Sequence, residues 1–356
     1  MSPRRGGYSS YTSGYDSSPW SKETLLSLDY SSYRYPNYRT LYIAGFVFEI
    51  LTVIAFVAFL IWSCTIRNRG LPVKGLISTL LAYILSEACN IIYEALFIAD
   101  AYVTEYYRII LMLGTFFNLL ATLLLLYVFW SLVHRLLGRL TDSGKPYAAV
   151  TIIHWILLGI LSAVSIADWG MYVAYEVGQV TYISFELIYA WIDLDAALMI
   201  IFWVLTIEIM AWTIFVTVKA GTHRFLSRTP TISLLVGSVC WFAVNMMWAI
   251  LAIRYNLERN SYPVYLTCAR PVIAFVFLVG TFMGIVLCCA KWSTLGVGPD
   301  KYDPAVTGQY PQYPPGQYPA YPQYSQGQYP SAQYPAYGHH ASEAPGSGPA
   351  LAHSPQ

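Results

Sequence analysis

The chain has 356 residues, is 56% hydrophobic and only 11% charged, and carries a formal net charge of +1. A soluble domain carries about 25% charged residues, so this composition argues against one. The near-neutral balance gives no electrostatic footprint for nucleic acid. The apolar residues fall in long blocks, which predicts an all-α polytopic membrane protein. The expected architecture is a seven-transmembrane-helix bundle with disordered tails at both ends.

Residues 1–40 are dominated by Tyr, Ser, Gly and Pro without a sustained period, and read as a disordered tail. They lack the apolar core of a signal peptide, so the first span is expected to serve as the targeting signal. Span one is read over Leu41–Ile66 and span two over Leu76–Ala99. Span three covers Tyr107–Leu132 and span four Ala148–Ala167. Span five covers Ala196–Val218, span six Ile232–Ile253 and span seven Val264–Ala290. Each is long enough for a hydrocarbon core of ~30 Å.

Between spans four and five, Asp168 to Asp195 holds five acids and no Lys or Arg. Loose alternation around Gly178 reads as a short hairpin over Tyr172–Phe185. Glu186–Leu194 reads as an outward extension of helix five. Residues 291–356 repeat Gln-Tyr-Pro, at Gln309, Gln312, Gln317, Gln328 and Gln333. Regular proline and few aliphatics predict an extended, disordered tail. Such a tail offers docking points to a protein partner with a Pro-binding module.

Orientation is read from basic residues in short loops. Arg67, Arg69 and Lys74 follow span one, Arg135, Arg139 and Lys145 follow span three, and Lys219, Arg224 and Arg228 follow span five. The other side has Arg108, Arg254, Arg259 and Arg270, and far more acid. This places the N-tail outside and the C-tail in the cytoplasm, although Arg34 and Arg39 weigh the other way. The plasma membrane is the expected location.

Four glutamates fall inside spans: Glu49, Glu87, Glu94 and Glu208. Glu87, Asn90 and Glu94 share one helical face. An acid in hydrocarbon is costly and usually faces a protein interior or a water-filled cavity. Glu49 and Glu94 are expected in the outer half, and Glu87 and Glu208 near mid-membrane. Asn118 and Asn245 lie at comparable depth, with Arg254 and Arg270 as counter-ions at the outer span ends. Together these eight residues form a candidate ligand- or ion-binding site for a small polar ligand or a cation. The competing reading is that they are interhelical hydrogen-bond partners.

His154 lies inside span four, with His134 and His223 at span ends. No two histidines stand at i, i+4, so neither a metal site nor a hydrolase centre is expected, and no cofactor is implied. His154 reads as a hydrogen-bonded packing residue. No G-x-S-x-G elbow is present, so the chain is not expected to be an enzyme. The six cysteines lie in or beside spans, so no disulfide framework is expected. Cys288 and Cys289, ahead of Lys291 and Trp292, are palmitoylation candidates. Gly280 and Gly284 give a small-xxx-small spacing, read as internal packing. Pro271 is expected to kink span seven or mark its start.

Seven spans with this orientation resemble the receptor-type plan. Span three lacks the acidic-Arg-Tyr triplet, having His134-Arg135-Leu136, and span seven lacks Asn-Pro-x-x-Tyr. Cys240-Trp241 in span six resembles the receptor Cys-Trp without its proline. Span seven has no lysine for a retinal Schiff base. The Tyr/Ser head, the acidic loop and the Gln-Tyr-Pro tail resemble seven-span integral membrane proteins of filamentous fungi, over Leu41 to Ala290. The N-out orientation, the outer polar residues and the tail are read as those of a receptor-like or sensory protein with an outward-facing polar pocket. The alternatives are a proton- or cation-coupled transporter or lipid-handling protein that uses mid-membrane glutamates, and a membrane scaffold that recruits partners through its C-tail.

Overall fold

The computed structural model describes residues 18–28, 37–66, 70–140, 148–181, 186–222 and 228–295. Seven helices in these segments are long and apolar enough to cross a membrane. They are α1 (Tyr38–Thr65), α2 (Val73–Ile98), α3 (Tyr107–Leu140), α4 (Ala148–Thr181), α5 (Glu186–Thr222), α6 (Thr229–Leu251) and α7 (Leu266–Ala290). Helix α6 runs on into a π-helical turn, Ala252–Leu257. The chain is therefore a multi-pass integral membrane protein, in contact with the lipid bilayer. The repeated Gln-Tyr-Pro units and residues 302–356 as a whole lie outside the described residues.

The expected hairpin over Tyr172–Phe185 is overturned. Helix α4 continues unbroken to Thr181 and carries Gly178 inside it. Nothing lies within 4 Å of the place a Cβ would take at Gly170, so this stretch of α4 is not crowded there. The extension of helix five is present, since α5 begins at Glu186. Both helices outrun the bilayer, and hydropathy fades before the helix does.

A second departure is in the N-terminal stretch. Residues 18–28 are not without structure: a 3-10 turn at Pro19–Ser21 leads into strand β1 (Glu23–Leu25). It pairs antiparallel with β2 (Tyr102–Thr104), in the connection between α2 and α3, with Thr24 opposite Val103. Leu26 and Leu28 are buried behind the pair. The strands mark one end of the bundle, called here the strand end. The opposite, basic end carries the loops after α1, α3 and α5.

Side chains lock this strap in place. Asp100 adopts the left-handed region at φ 49°. From there its carboxylate accepts Ser27 Oγ at 2.6 Å and the Leu28 N–H at 3.1 Å, with Arg39 3.8 Å away. The Ser27 hydroxyl first, with the Leu28 amide and Arg39, holds the Asp100 carboxyl below its ordinary range. Burial works against the ionised form of Glu105, but the Thr24 hydroxyl and the Arg108 guanidinium outweigh it and hold it low as well. A carboxyl held below its unfolded value contributes its full stability above the ordinary range near ~4 and loses it as pH falls through the lowered value. The strap is therefore expected to release in acid. Hydrogen-exchange protection, relative to the intrinsic rate at each pH, of the Leu26 and Glu105 amides, which bond to Ala101 and Lys22 carbonyls, should be high at neutral pH and fall below about pH 4.

The core lies in the basic half. Phe129 stacks flat on Trp241 with centroids 4.8 Å apart, and Phe282 meets Phe56 and Tyr83 edge-on. Leu125, Leu126, Leu132 and Leu136 of α3 are fully buried around them. Between membrane helices, packing and small residues replace the hydrophobic drive. A Cβ on Gly284 would come within 2.5 Å of the Ser233 carbonyl and 2.6 Å of Gly237, so α6 and α7 touch backbone to backbone. A Cβ on Gly280 would likewise meet Cys240 Sγ of α6 at 2.6 Å, so the Gly280 and Gly284 spacing faces the bundle interior. A Cβ on Gly45 would lie 2.7 Å from the Thr267 carbonyl, the same carbonyl that Pro271 leaves without its helical donor. Pro271 lies inside α7 and does not mark its start.

Gly284→Val should therefore cost about 1–3 kcal/mol from overpacking against backbone that cannot yield. Thermal unfolding in detergent is the check. Gly170→Ala, where the space is open, should not lower the midpoint and should raise it by the equivalent of up to about 1 kcal/mol of helix propensity.

Candidate functional site

The strand half of the bundle is hollow where the basic half is packed. A cavity of about 180 Å³ is lined by Glu49, Thr52, Ser86, Glu87, Asn90, Thr115, Asn118, Trp248 and Arg270, among others. A second, of about 140 Å³, is lined by Glu87, Asn118, Trp241, Asn245 and neighbours. The two share Glu87, Asn118, Trp248, Ala274 and Leu278. They therefore adjoin within one polar interior bounded by α1, α2, α3, α6 and α7, with α5 contributing Met199 and Phe202.

The sequence places these residues together by depth. Glu49, Glu87 and Asn118 each lie about three turns, roughly 17 Å, from the strand-end terminus of their own helices. Helix α2 presents Glu87 and Asn90 on one face, and Asn90 hydrogen-bonds to Glu87. One turn further out, Glu94 hydrogen-bonds to Glu49 from α1. A hydrogen bond between two carboxyls needs a proton on one of them. Glu49 Oε2 is buried, and no N–H or O–H donor of the protein reaches it. Arg270 of α7 also lines the larger cavity. It sits over the Trp248 ring at 5.5 Å and hydrogen-bonds to Tyr262. Asn245 turns its amide back to the Trp241 carbonyl at 2.9 Å. Ser86 Oγ donates across to the Gly114 carbonyl at 2.9 Å, tying α2 to α3.

Five of the eight candidate residues thus line the two cavities: Glu49, Glu87, Asn118, Asn245 and Arg270. Glu94 adjoins them through Glu49. The remaining two do not belong. Arg254 faces outward, pairing with Glu258 at 3.2 Å. Glu208 is not a midplane partner of Glu87. It points between α4 and α5, where its Oε1 meets His154 Nε2 at 2.6 Å and accepts the Trp212 indole N–H at 3.2 Å. Depth along a helix was legible, but the side of the helix was not.

Cys288 and Cys289 are buried at the basic end of α7, so neither thiol is exposed to an acylating partner. Trp292, three residues beyond Cys289, has Arg139 over its ring at 5.0 Å. All six cysteines are free. Among the described residues no group of three His, Cys, Asp or Glu side chains is arranged to hold a metal ion.

Two further groups escaped the sequence. Arg108 bridges Glu105 at 2.7 Å and Glu176 at 2.6 Å, and Thr24 Oγ1 donates to Glu105 at 2.5 Å. This network ties β1 to α3 and α4. His134, His154 and Glu208 form a continuous hydrogen-bonded chain, with Trp130 stacked flat on His154 at 4.5 Å. Their sequence separations of 20 and 54 fit no helical spacing. The only available signal was that each is a titratable group in an apolar span.

Seven membrane helices around a carboxyl-lined interior define the class, a multi-pass membrane protein with a polar intramembrane cavity. Compared with protein-family models, curated proteins and solved structures, the chain matches none.

Proposed function

We propose that the chain is a receptor-like, sensory seven-span protein whose polar cavity takes the ammonium group of a small polar ligand. The carrying observation is Glu49 Oε2, a buried carboxyl oxygen without a partner, on a cavity that Glu87 also lines. A buried acceptor left unpaired costs free energy comparable to a lost hydrogen bond, and an ammonium donor recovers it. Arg270 on the same wall suits a carboxylate on the same ligand, so a small zwitterion fits the lining. The aromatic and leucine packing below, with Phe129 flat on Trp241, supports a pocket that serves one side only. With the basic loops in the cytoplasm, that side is the exterior in the proposed plasma-membrane location.

The test is thermal unfolding of the full-length protein in detergent with methylammonium chloride, against sodium chloride and sodium acetate. Methylammonium chloride should raise the midpoint above sodium chloride, and by more than sodium acetate does. Equal effects from all three salts would contradict the reading.

The second cavity gives the transporter alternative its one observation, since it leads from Glu87 to Asn245 and Trp241. Uptake of radiolabelled methylammonium into proteoliposomes separates the two: a receptor binds it without accumulation. The scaffold alternative rests on the C-tail, which lies outside the described residues.

A further inference from the structure

We propose that His154, wired to the basic end of the bundle by His134, is a reversible proton-binding site that joins α3, α4 and α5. This is separate from the ligand cavity and does not depend on what that cavity binds.

The argument begins with hydrogen counting. His134 Nε2 and His154 Nδ1 are 2.8 Å apart, and His154 Nε2 and Glu208 Oε1 are 2.6 Å apart. Each contact needs one proton, and a neutral imidazole has one N–H. With Glu208 ionised, only one assignment satisfies the chain. His154 donates from Nε2 to Glu208 and accepts at Nδ1 from His134 Nε2–H. His134 Nδ1 is then left as an acceptor, and its neighbour there, the Thr151 hydroxyl, is a distant 3.5 Å away. The most weakly held basic position of the chain is therefore His134 Nδ1, at the basic end.

A proton that arrives from water at His134 Nδ1 is carried inward without any side chain turning. It bonds to the Nδ1 lone pair. The Nε2–H proton of His134 passes to His154 Nδ1, and the electron pair of that broken bond stays on His134 Nε2. His134 ends neutral with its tautomer exchanged. His154 ends as an imidazolium with both N–H groups satisfied, one on Glu208 Oε1 and one on His134 Nε2. One proton has entered and no other species is consumed.

The surroundings fit the loaded form. Glu208 is the counter-ion, and the Trp212 N–H fixes the same oxygen. The Trp130 ring lies parallel to His154, with 5° between planes, and an indole face attracts a cation. Loading also changes the cluster from a lone carboxylate to a neutral ion pair, which hydrocarbon tolerates better. The charged groups facing His134 are His154 from α4 and Glu208 from α5. The next residue on α3, Arg135, interacts with Cys289 of α7 instead. His154 is buried; its two hydrogen-bond partners, His134 and Glu208, are both half-buried, and His134 is the one nearer the basic end of its helix.

The test is ¹⁵N NMR of the full-length chain with labelled histidine, in nanodiscs, from about pH 8 to about pH 5, where imidazole ordinarily titrates. The chain has six histidines, and H154Q assigns the signal. One imidazole should gain a second N–H on acidification. E208Q should need at least a tenfold higher proton concentration to load it, and E208D should recover most of the difference. H134Q should leave His154 able to load but slow its exchange with water, seen in line width. A thermal unfolding midpoint in detergent close to wild type reports that each variant is folded. The proposal is overturned if His154 keeps a single N–H throughout, or if wild type and E208Q load at the same pH. Loading and exchange in H134Q equal to wild type would remove the relay.

Discussion

Arg108→Met is expected to cost about 3–5 kcal/mol, the range for breaking a buried pair by removing one partner. The guanidinium bridges Glu105 and Glu176 at 2.7 and 2.6 Å, with Lys22 a weaker positive neighbour of Glu105, and all three bridged side chains are largely buried. Its loss leaves two carboxylates facing each other, and removes the group that holds Glu105 ready for Thr24. The strap should detach from the bundle. Thermal unfolding in detergent should show the lowered midpoint, and limited proteolysis should cut before Leu28 where the wild type resists. Adding Glu105→Gln and Glu176→Gln should recover much of the loss, because the cost comes from unpaired charge and not from lost packing. Triple and single variants of equal stability would rule out the electrostatic origin.

Glu49→Gln should separate stability from binding. The amide keeps the shape and can still hydrogen-bond Glu94, while the orphaned oxygen at Oε2 is replaced by a group that need not be ionised. Unfolding without ligand should stay where it is or move up, the pattern expected where a site is maintained at the expense of stability. Affinity for methylammonium should fall by at least about tenfold, equivalent to ~1.4 kcal/mol. A purely structural role for Glu49 predicts the opposite, lower stability with no binding to lose. Glu87→Gln should also weaken binding, and Glu208→Gln should not, since Glu208 lies outside both cavities.

The spans were legible because a bilayer demands a single local property, about 20 apolar residues in a row. The ends of α4 and α5 were not. Beyond the hydrocarbon a helix no longer needs to be apolar, so Asp168 to Asp195 carries its acids on continuous helix up to Thr181 and again from Glu186. Gly178 within a loosely alternating stretch suggested a turn, yet an isolated glycine costs a helix only about 1 kcal/mol. Strand β1 is three residues in a Ser- and Tyr-rich segment, and its pairing with β2 is fixed by contacts such as Thr24 to Glu105, 81 positions away. No local pattern encodes that.

The cavity was half legible. Glu49, Glu87 and Asn118 could be grouped because equal depth is readable from distance to a span end. Glu208 was grouped wrongly by the same criterion, because depth does not say which neighbour a side chain faces. His154 was read as a hydrogen-bonded packing residue, and its bonds are there. What distinguishes it, a histidine on one nitrogen and a carboxylate on the other, depends on how α3, α4 and α5 are packed side by side.

The central claim is that the polar interior is reached from the strand end and closed at the basic end. Asn118, shared by both cavities, is the place to test it. Asn118→Cys in proteoliposomes of defined orientation should react with a cationic, membrane-impermeant thiol reagent added on the strand side, well above the background of the native cysteines, and methylammonium should slow the reaction. Added on the basic side, the reagent should do nothing. Reaction from the basic side, or no reaction from either side, would contradict the account.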